Sequence, residues 1–315
     1  MRATTPWIIW LVVALLAAIF VLAGSGLDFD YVIPKRLLRL AAIVVGSICV
    51  ACAAMVFQTL VGNRILTPAV MGYEAVYLLW QALLLLLMGA HGMAMLGASG
   101  NFLLSCGLML GYSWALQHWL LQRGGRDMYV LLLLGLVLTM VIGSFTQFVQ
   151  LRISPGEFAV FQGMSYASFN RVRPETLLYA VVAMLCVGLL ARKSLPVLDV
   201  LALGREQSIS LGVDHGWYLR RCLAGIAVLV AVSTSLIGPT AFMGIFVANI
   251  AYALAPSARH RTTLPLGCGL AMAIFLAAQL LVEHVFNYKT SVSIIVNLVC
   301  GVYFLTLMVR RKGLQ

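Results

Sequence analysis

The sequence predicts an all-α integral membrane protein of about ten transmembrane helices, and three observations predict it. Apolar stretches fill most of the 315 residues, and a spanning helix needs about 20 mostly apolar residues because lipid offers exposed backbone no partner. The composition is 62% hydrophobic and only 10% charged, with a mean hydropathy of +1.01, whereas soluble domains carry about 25% charged residues. Finally, the runs Leu83-Leu84-Leu85-Leu86-Leu87 and Leu131-Leu132-Leu133-Leu134 lack the period-2 alternation of a membrane β-barrel.

In chain order the spans are read as 7–24, 40–61, 72–90, 102–121, 128–150, 176–191, 222–238, 240–255, 264–286 and 290–309. The first follows Arg2 and could be a signal peptide. However, Gly24-Ser25-Gly26-Leu27-Asp28 is a poor small-x-small cleavage site, so a retained helix is predicted. Lys35, Arg36 and Arg39 precede the second span, and Arg64 separates it from the third. Arg123 and Arg126 part the fourth from the fifth. A longer connection over 151–175 carries Arg152, Glu157, Arg171, Arg173 and Glu175 ahead of the sixth. Arg192, Lys193, Arg205, Arg220 and Arg221 lie between the sixth and seventh, Arg259 and Arg261 between the eighth and ninth. Lys289 precedes the tenth span, and Arg310, Arg311 and Lys312 end it. Trp7, Trp10, Trp114, Trp119 and Trp217 sit near segment ends, where amphipathic rings meet headgroups.

These cations fall into two alternating sets of loops. The set with both termini holds Arg2, Arg64, Arg123, Arg126, Arg192, Lys193, Arg205, Arg220, Arg221, Arg259, Arg261, Arg310, Arg311 and Lys312. The other holds Lys35, Arg36, Arg39, Arg152, Arg171, Arg173 and Lys289. This split of 14 against 7 predicts cytoplasmic termini by the positive-inside rule. The net charge of +11 therefore sets topology, and acidic lipid or a cytoplasmic partner fits it better than nucleic acid.

The residues also exclude classes of chemistry. Cys49 and Cys52 have redox or metal spacing, but one helix offers no second pair and no histidine, so the cysteines read as small hydrophobes. His91, His118, His215, His260 and His284 are scattered, and no metal site is predicted. No nucleophile elbow, phosphate-binding glycine loop or paired-carboxylate site is present. The chain reads as no enzyme, with no cofactor of its own. Gln58, Glu74, Gln81, Gln147, Gln150, Asn249, Gln279 and Asn297 are the polar exceptions within spans. Interhelical hydrogen bonds and contacts to a substrate path are both open to them. Met55, Met140, Met164 and Met243 could either pack or give a path a soft lining. An ion-coupled secondary transporter is the competing reading, with Glu74 as its one candidate coupling carboxylate.

The most informative connection is 192–221. Pro196 suits a first helical turn and Gly204 its end; a second short helix is predicted from about Arg205 to Leu211, with Gly212 as its cap. Leu198, Leu201, Leu203 and Leu211 need cover, from lipid headgroups or from a docked soluble subunit.

The run Leu201-Ala202-Leu203-Gly204 through Ser208 to Leu211-Gly212-Val213, with Arg220 beyond, resembles the "LxLGxxxAxxLGV" loop of the iron-chelate and cobalamin permease family of ABC importers, the FecCD family. Gln58-Thr59-Leu60-Val61-Gly62-Asn63 with Leu66-Thr67-Pro68 and Gly72 is similar to its "Q-x4-N-P-L-A-x-P-x-x-x-G" segment. Gly238-Pro239-Thr240-Ala241-Phe242-Met243-Gly244-Ile245 resembles "GPIxFVGL", and Gly301-Val302-Tyr303-Phe304-Leu305 resembles "GxPxF". There are departures. Arg64 stands for a usual proline, Ala248-Asn249-Ile250-Ala251-Tyr252 for Pro-His-Ile-Ala-Arg, and Lys289-Thr290-Ser291-Val292-Ser293 for Glu-Leu-Pro-Val-Gly. The run from Asn63 to Pro68 resembles a ferric-siderophore branch, which favours iron chelates over cobalamin, and a cobalamin or haem importer permease of the same family is the alternative.

The resemblance implies a type II ABC importer permease, one transmembrane domain over 1–315 with a cytoplasmic coupling loop at about 192–221. It implies a second permease subunit (a heterodimer favoured), two ATP-binding subunits that use ATP and magnesium, and a periplasmic or lipid-anchored substrate-binding protein. It further implies ATPase coupling through Leu201, Leu203, Gly204, Arg205, Glu206, Ser208, Leu211 and Gly212, and binding-protein docking through Arg36 and Arg39, with Lys35 and Lys289 extending the patch. Snorkelling to headgroups is the other reading of those arginines. Candidate path residues are Gln58, Asn63, Met55, Gln147 and Asn249.

Overall fold

Val32–Val61 forms the helix about which the others assemble, and its small residues explain why. Ala42, Ala51, Ala53 and Ala54 are buried, and a Cβ on Gly46 would lie 2.9 Å from the Ile237 side chain. Small residues let backbones approach closely where lipid supplies no hydrophobic drive between helices. The computed structural model describes residues 5–23, 28–122, 128–240 and 242–312. Arg2, Arg123, Arg126, Ala241 and the Gly24–Leu27 stretch lie outside the described residues, as do the side chains of Trp119, Phe304, Arg310, Arg311 and Lys312.

The helices are α1 (Thr5–Leu22), α2 (Val32–Val61), α3 (Tyr73–Gln122), α4 (Met128–Gln150), α5 (Pro155–Met164), α6 (Pro174–Ala191), α7 (Leu195–Leu201), α8 (Arg205–Ser210), α9 (His215–Ile237), α10 (Met243–Leu254), α11 (His260–His284) and α12 (Val292–Lys312). α2 packs on α9, α11, α10 and α1, while α3 packs on α4 and α9. Each predicted span overlaps a helix among the described residues. Among the described residues six helices are long and apolar enough to cross a membrane, and three shorter apolar helices accompany them.

Two of these regions gain detail and one span is shortened. The third and fourth predicted spans both lie within α3, as two helical arms parted by non-helical backbone at Gly89 (φ 66°) and Gly97 (φ 70°), where glycine tolerates positive φ. The connection 151–175 contains α5, begun by a capping box in which Ser154 and Glu157 bond each other's backbone N–H. α10 has 12 residues, so at 1.5 Å per residue it is about 18 Å long, short of the ~30 Å hydrocarbon core.

Between α2 and α3 the chain makes a tight turn. Gly62 (φ 67°) ends α2, Pro68–Met71 form a 3-10 turn, and Gly72 (φ 89°) leads into α3. The Tyr112 hydroxyl donates to the Met71 carbonyl at 2.8 Å, and a Cβ on Gly135 would approach Met71 Cα to 2.9 Å. Side-chain contacts then group the connections at two ends of the bundle. Thr59, Asp199 and His260 meet at one, and Ala23, Arg36, Glu283 and Tyr288 at the other.

Candidate functional site

The segment after α6 is built to present a small apolar tip. A 3-10 turn, Arg192–Ser194, carries α6 into α7, with Pro196 in the first turn. The expectation that Leu198 and Leu201 need a partner is corrected, because the bundle itself buries both. Leu203, Ile209 and Leu211 are instead 55%, 53% and 62% exposed, so they are the apolar groups left for a partner. Gly204 (φ 98°) and Gly212 (φ 81°) flank α8, and an added Cβ at either would meet nothing within 4 Å. Glycine is needed there for backbone conformation and not for space. Arg205 and Glu206 are exposed. Ser208 is buried; its hydroxyl donates to the Arg205 carbonyl at 2.8 Å and meets His215 Nδ1 at 3.0 Å, which ties α8 to α9.

A second tie, which the sequence reading missed, runs from α7 into the bundle. Asp199 Oδ1 accepts the His260 backbone N–H at 2.8 Å and pairs with His260 Nδ1 at 2.6 Å; His260 Nε2 meets the Thr59 hydroxyl at 2.8 Å. Asp199, His260 and Thr59 thereby join α7, α11 and α2. Asp199 was visible as a lone carboxylate in a mostly apolar stretch, but its partner lies 61 residues away and needed the fold.

At the opposite end the arginine pair separates. Arg36, expected as an exposed docking side chain, is buried. Its Nη2 bonds Glu283 Oε1 at 2.9 Å, and its Nη1 donates to the carbonyls of Phe20, at 2.8 Å, and Ala23. A cation placed on the last carbonyls of α1 satisfies orphan acceptors and suits the helix dipole. The docking assignment of Arg36 is therefore corrected to an anchor of α1, α2 and α11. Glu283 also corrects the reading of Glu74 as the one carboxylate within the predicted spans. Each carboxylate has a partner: Glu74 Oε1 accepts the Thr240 N–H at 3.0 Å.

Arg39 remains half-exposed, with Nη1 3.4 Å from the Tyr288 hydroxyl. Burial first, then the Glu283 carboxylate, raises the Tyr288 phenol above its ordinary range. Asn287 and Tyr288 both have positive φ, an uncommon turn for residues with side chains. That turn holds Lys289 exposed beside them. Lys35 is exposed, stacked on the Tyr31 ring 3.7 Å from its centroid. Of the four expected docking cations, Lys35 and Lys289 are exposed and Arg39 half-exposed, so these three remain open to a partner.

The candidate path residues do not line one common space. Met55 and Gln58 are buried in the bundle, and neither polar atom of the Gln58 amide has a hydrogen-bond partner. Met55 packs with Ala248, Ala251 and Leu264, so it belongs to the core and not to a path wall. Gln147 is exposed on α4. Asn63 is exposed at the turn after α2 and accepts the Ile65 N–H at 2.9 Å. Asn249 lines a cavity of 280 Å³ with Ile65, Phe246 and Tyr303, and its Nδ2 donates to the Arg64 carbonyl at 3.0 Å. Two departures from the family pattern also meet in space, since the Arg64 guanidinium lies 4.7 Å from the Tyr252 ring centroid.

With this geometry in place the chain can be set beside known proteins. A family model described as the FecCD transport family matches residues 9–310. The chain is 34% identical over 285 residues to the petrobactin import system permease protein YclO of Bacillus subtilis (strain 168), covering 90% of each. It resembles two different petrobactin import system permease proteins of Bacillus anthracis. FatC is 28% identical, covering 97% of this chain and 90% of that one; FatD is 24% identical, covering 98% and 92%. A solved metal-chelate type ABC transporter in an inward-facing conformation has the same fold, with a TM-score of 0.85 and 17% identity. It covers 98% of this chain and 99% of that one.

Proposed function

The chain belongs to the FecCD transport family, and from that premise we propose that it is the permease subunit of an ATP-driven importer moving a ferric siderophore across the inner (cytoplasmic) membrane. The observation that carries this reading is the α7–α8 segment, an exposed tip of Leu203, Ile209 and Leu211 set on positive-φ glycines and tied into the bundle by Asp199 and His260. An exposed apolar tip fixed this firmly to the bundle suits a soluble partner that pushes on it better than lipid headgroups, which need no rigid tie. The partners are two ATP-binding subunits, which hold ATP and magnesium and carry out hydrolysis; this chain supplies no catalytic group and binds no cofactor.

The loop end with α7 and α8 is the cytoplasmic one, as are both termini, in line with the excess of cations in that set of loops. A periplasmic or lipid-anchored binding protein delivers the chelate at the other end, against Lys35, Arg39 and Lys289. The path lies between this chain and a second permease subunit, a different chain in the favoured arrangement. The exposed apolar faces of α4 (Leu136, Met140, Val141) and α12 (Leu298, Val302) are available to that subunit or to lipid. Import follows when closure of the ATP-binding subunits displaces the tip and so favours one arrangement of the helices over the other.

Proteoliposomes with this chain, its companion permease, the ATP-binding subunits and the binding protein test the proposal. ATP-dependent uptake of a ferric siderophore is expected, with none of cobalamin or haem and no hydrolysis by the isolated chain. Uptake driven by an ion gradient without ATP, or hydrolysis by the chain alone, would overturn it.

A further inference from the structure

A cavity of 420 Å³ opens between α2, α6, α7 and α9, and neither tip nor docking patch accounts for it. Its walls are apolar, with Ile48, Val56, Met184, Val187, Ile226 and Leu229 among the lining residues. Two facing glycines make the space. A Cβ built on Gly188 meets nothing within 4 Å, and one on Gly225 meets only Val187, at 3.6 Å. The α6 side is the bundle's outer surface, where Leu185, Leu189 and Leu190 are 54%, 64% and 63% exposed, so the groove opens toward the surrounding hydrocarbon.

Arg192 and Arg221 also line it, at the end where α6 stops and α7 begins. Arg221 is held in place: one Nη2–H donates to the Leu190 carbonyl at 2.9 Å, and its guanidinium stacks 5.0 Å from the Trp217 ring centroid. Neither arginine has a carboxylate partner among the described residues, and the lining contains no acidic side chain. An apolar slot in the bilayer with two guanidinium groups at headgroup level, neither facing a carboxylate among the described residues, matches a chain-bearing anion.

We propose that this groove is a binding site for an anionic phospholipid, one acyl chain lying between Gly188 and Gly225 and the phosphate on Arg192 and Arg221. The bound chain would also touch Leu195 and Leu198 of α7, which line the same space, so the lipid would brace the segment that leads to the tip.

Native mass spectrometry of the full-length chain in non-ionic detergent tests this, with phosphatidylglycerol and phosphatidylcholine of identical acyl chains as probes. Wild type should retain phosphatidylglycerol in preference, by about fivefold per arginine, and excess inorganic phosphate should not displace it. Gly188→Phe, which enters open space, should cut retention of both lipids. Arg192→Gln with Arg221→Gln should bring the two lipids to equal retention. Arg192→Gln alone, at an exposed side chain, should lower the preference without disturbing the fold. Equal retention of the two lipids by wild type, or retention unchanged by all three variants, would overturn the site. Displacement by phosphate would overturn the role of the acyl chain.

Discussion

Asp199 Oδ1 holds His260 by both its backbone N–H, at 2.8 Å, and its ring Nδ1, at 2.6 Å. Asp199 lies within the short helix α7 that leads to the tip, and His260 is the first residue of α11. Under the proposed coupling role, force on the tip would have a polar route into the bundle besides the packing of Leu198 and Leu201. Through His260 Nε2 and the Thr59 hydroxyl, 2.8 Å apart, that route reaches the end of α2.

Removing the carboxylate should loosen this route without unfolding the chain. Asp199→Ala leaves the buried His260 ring short of a partner, at a cost of about 1.5–3 kcal/mol for a hydrogen bond to a charged group. The Asp199 side chain is 32% exposed, which places the effect toward the lower end. In reconstituted importer, ATP hydrolysis should persist while uptake per ATP falls severalfold. His260→Ala should match it, and the double variant should be little worse than either, since both break one link.

The glycines flanking α8 give a second test. Gly204 and Gly212 have φ of 98° and 81°, so a β-branched residue there carries about 1–3 kcal/mol of backbone strain. That equals a typical coupling free energy of about 1–3 kcal/mol. Gly204→Val and Gly212→Val should therefore insert normally yet transport poorly, with hydrolysis no longer matched to uptake. Unimpaired uptake in both would remove the segment from the transmission path.

The two outer arginines should behave oppositely. Arg36→Ala leaves the largely covered Glu283 carboxylate without its cation, a change that costs about 3–5 kcal/mol in buried pairs. It should lower the thermal unfolding midpoint in detergent markedly. Arg39→Glu with Lys289→Glu should leave that midpoint nearly unchanged and slow association of the binding protein, most at low salt. Surface plasmon resonance at two ionic strengths separates the cases.

How much of this was legible in the sequence follows from which residues act locally. The α7–α8 geometry was readable because Pro196, Gly204 and Gly212 determine their own backbone, and the structure puts both glycines at positive φ. The start of α5 was also written locally, in Ser154-Pro155-Gly156-Glu157, a capping-box pattern with proline in the first turn that the reading passed over. Arg36 could not be assigned that way. The i,i+3 spacing with Arg39 says that two side chains share a helix face, but not that Glu283 and the end of α1 cover one of them. Met55 and Gln58 failed for the same reason: polarity or softness marks a residue as unusual in a span, and only packing shows whether it faces a path or the core.

The central claim is that the Leu203–Ile209–Leu211 tip passes hydrolysis by the ATP-binding subunits into this bundle. ATP-driven ferric-siderophore uptake in proteoliposomes, with Leu203→Asp and Leu211→Asp together, measures it most directly. Both side chains are exposed in the chain alone, so insertion and thermal stability should match wild type. The account predicts loss of ATP-driven uptake, with the ATP-binding subunits failing to associate. Wild-type uptake by that variant would contradict it.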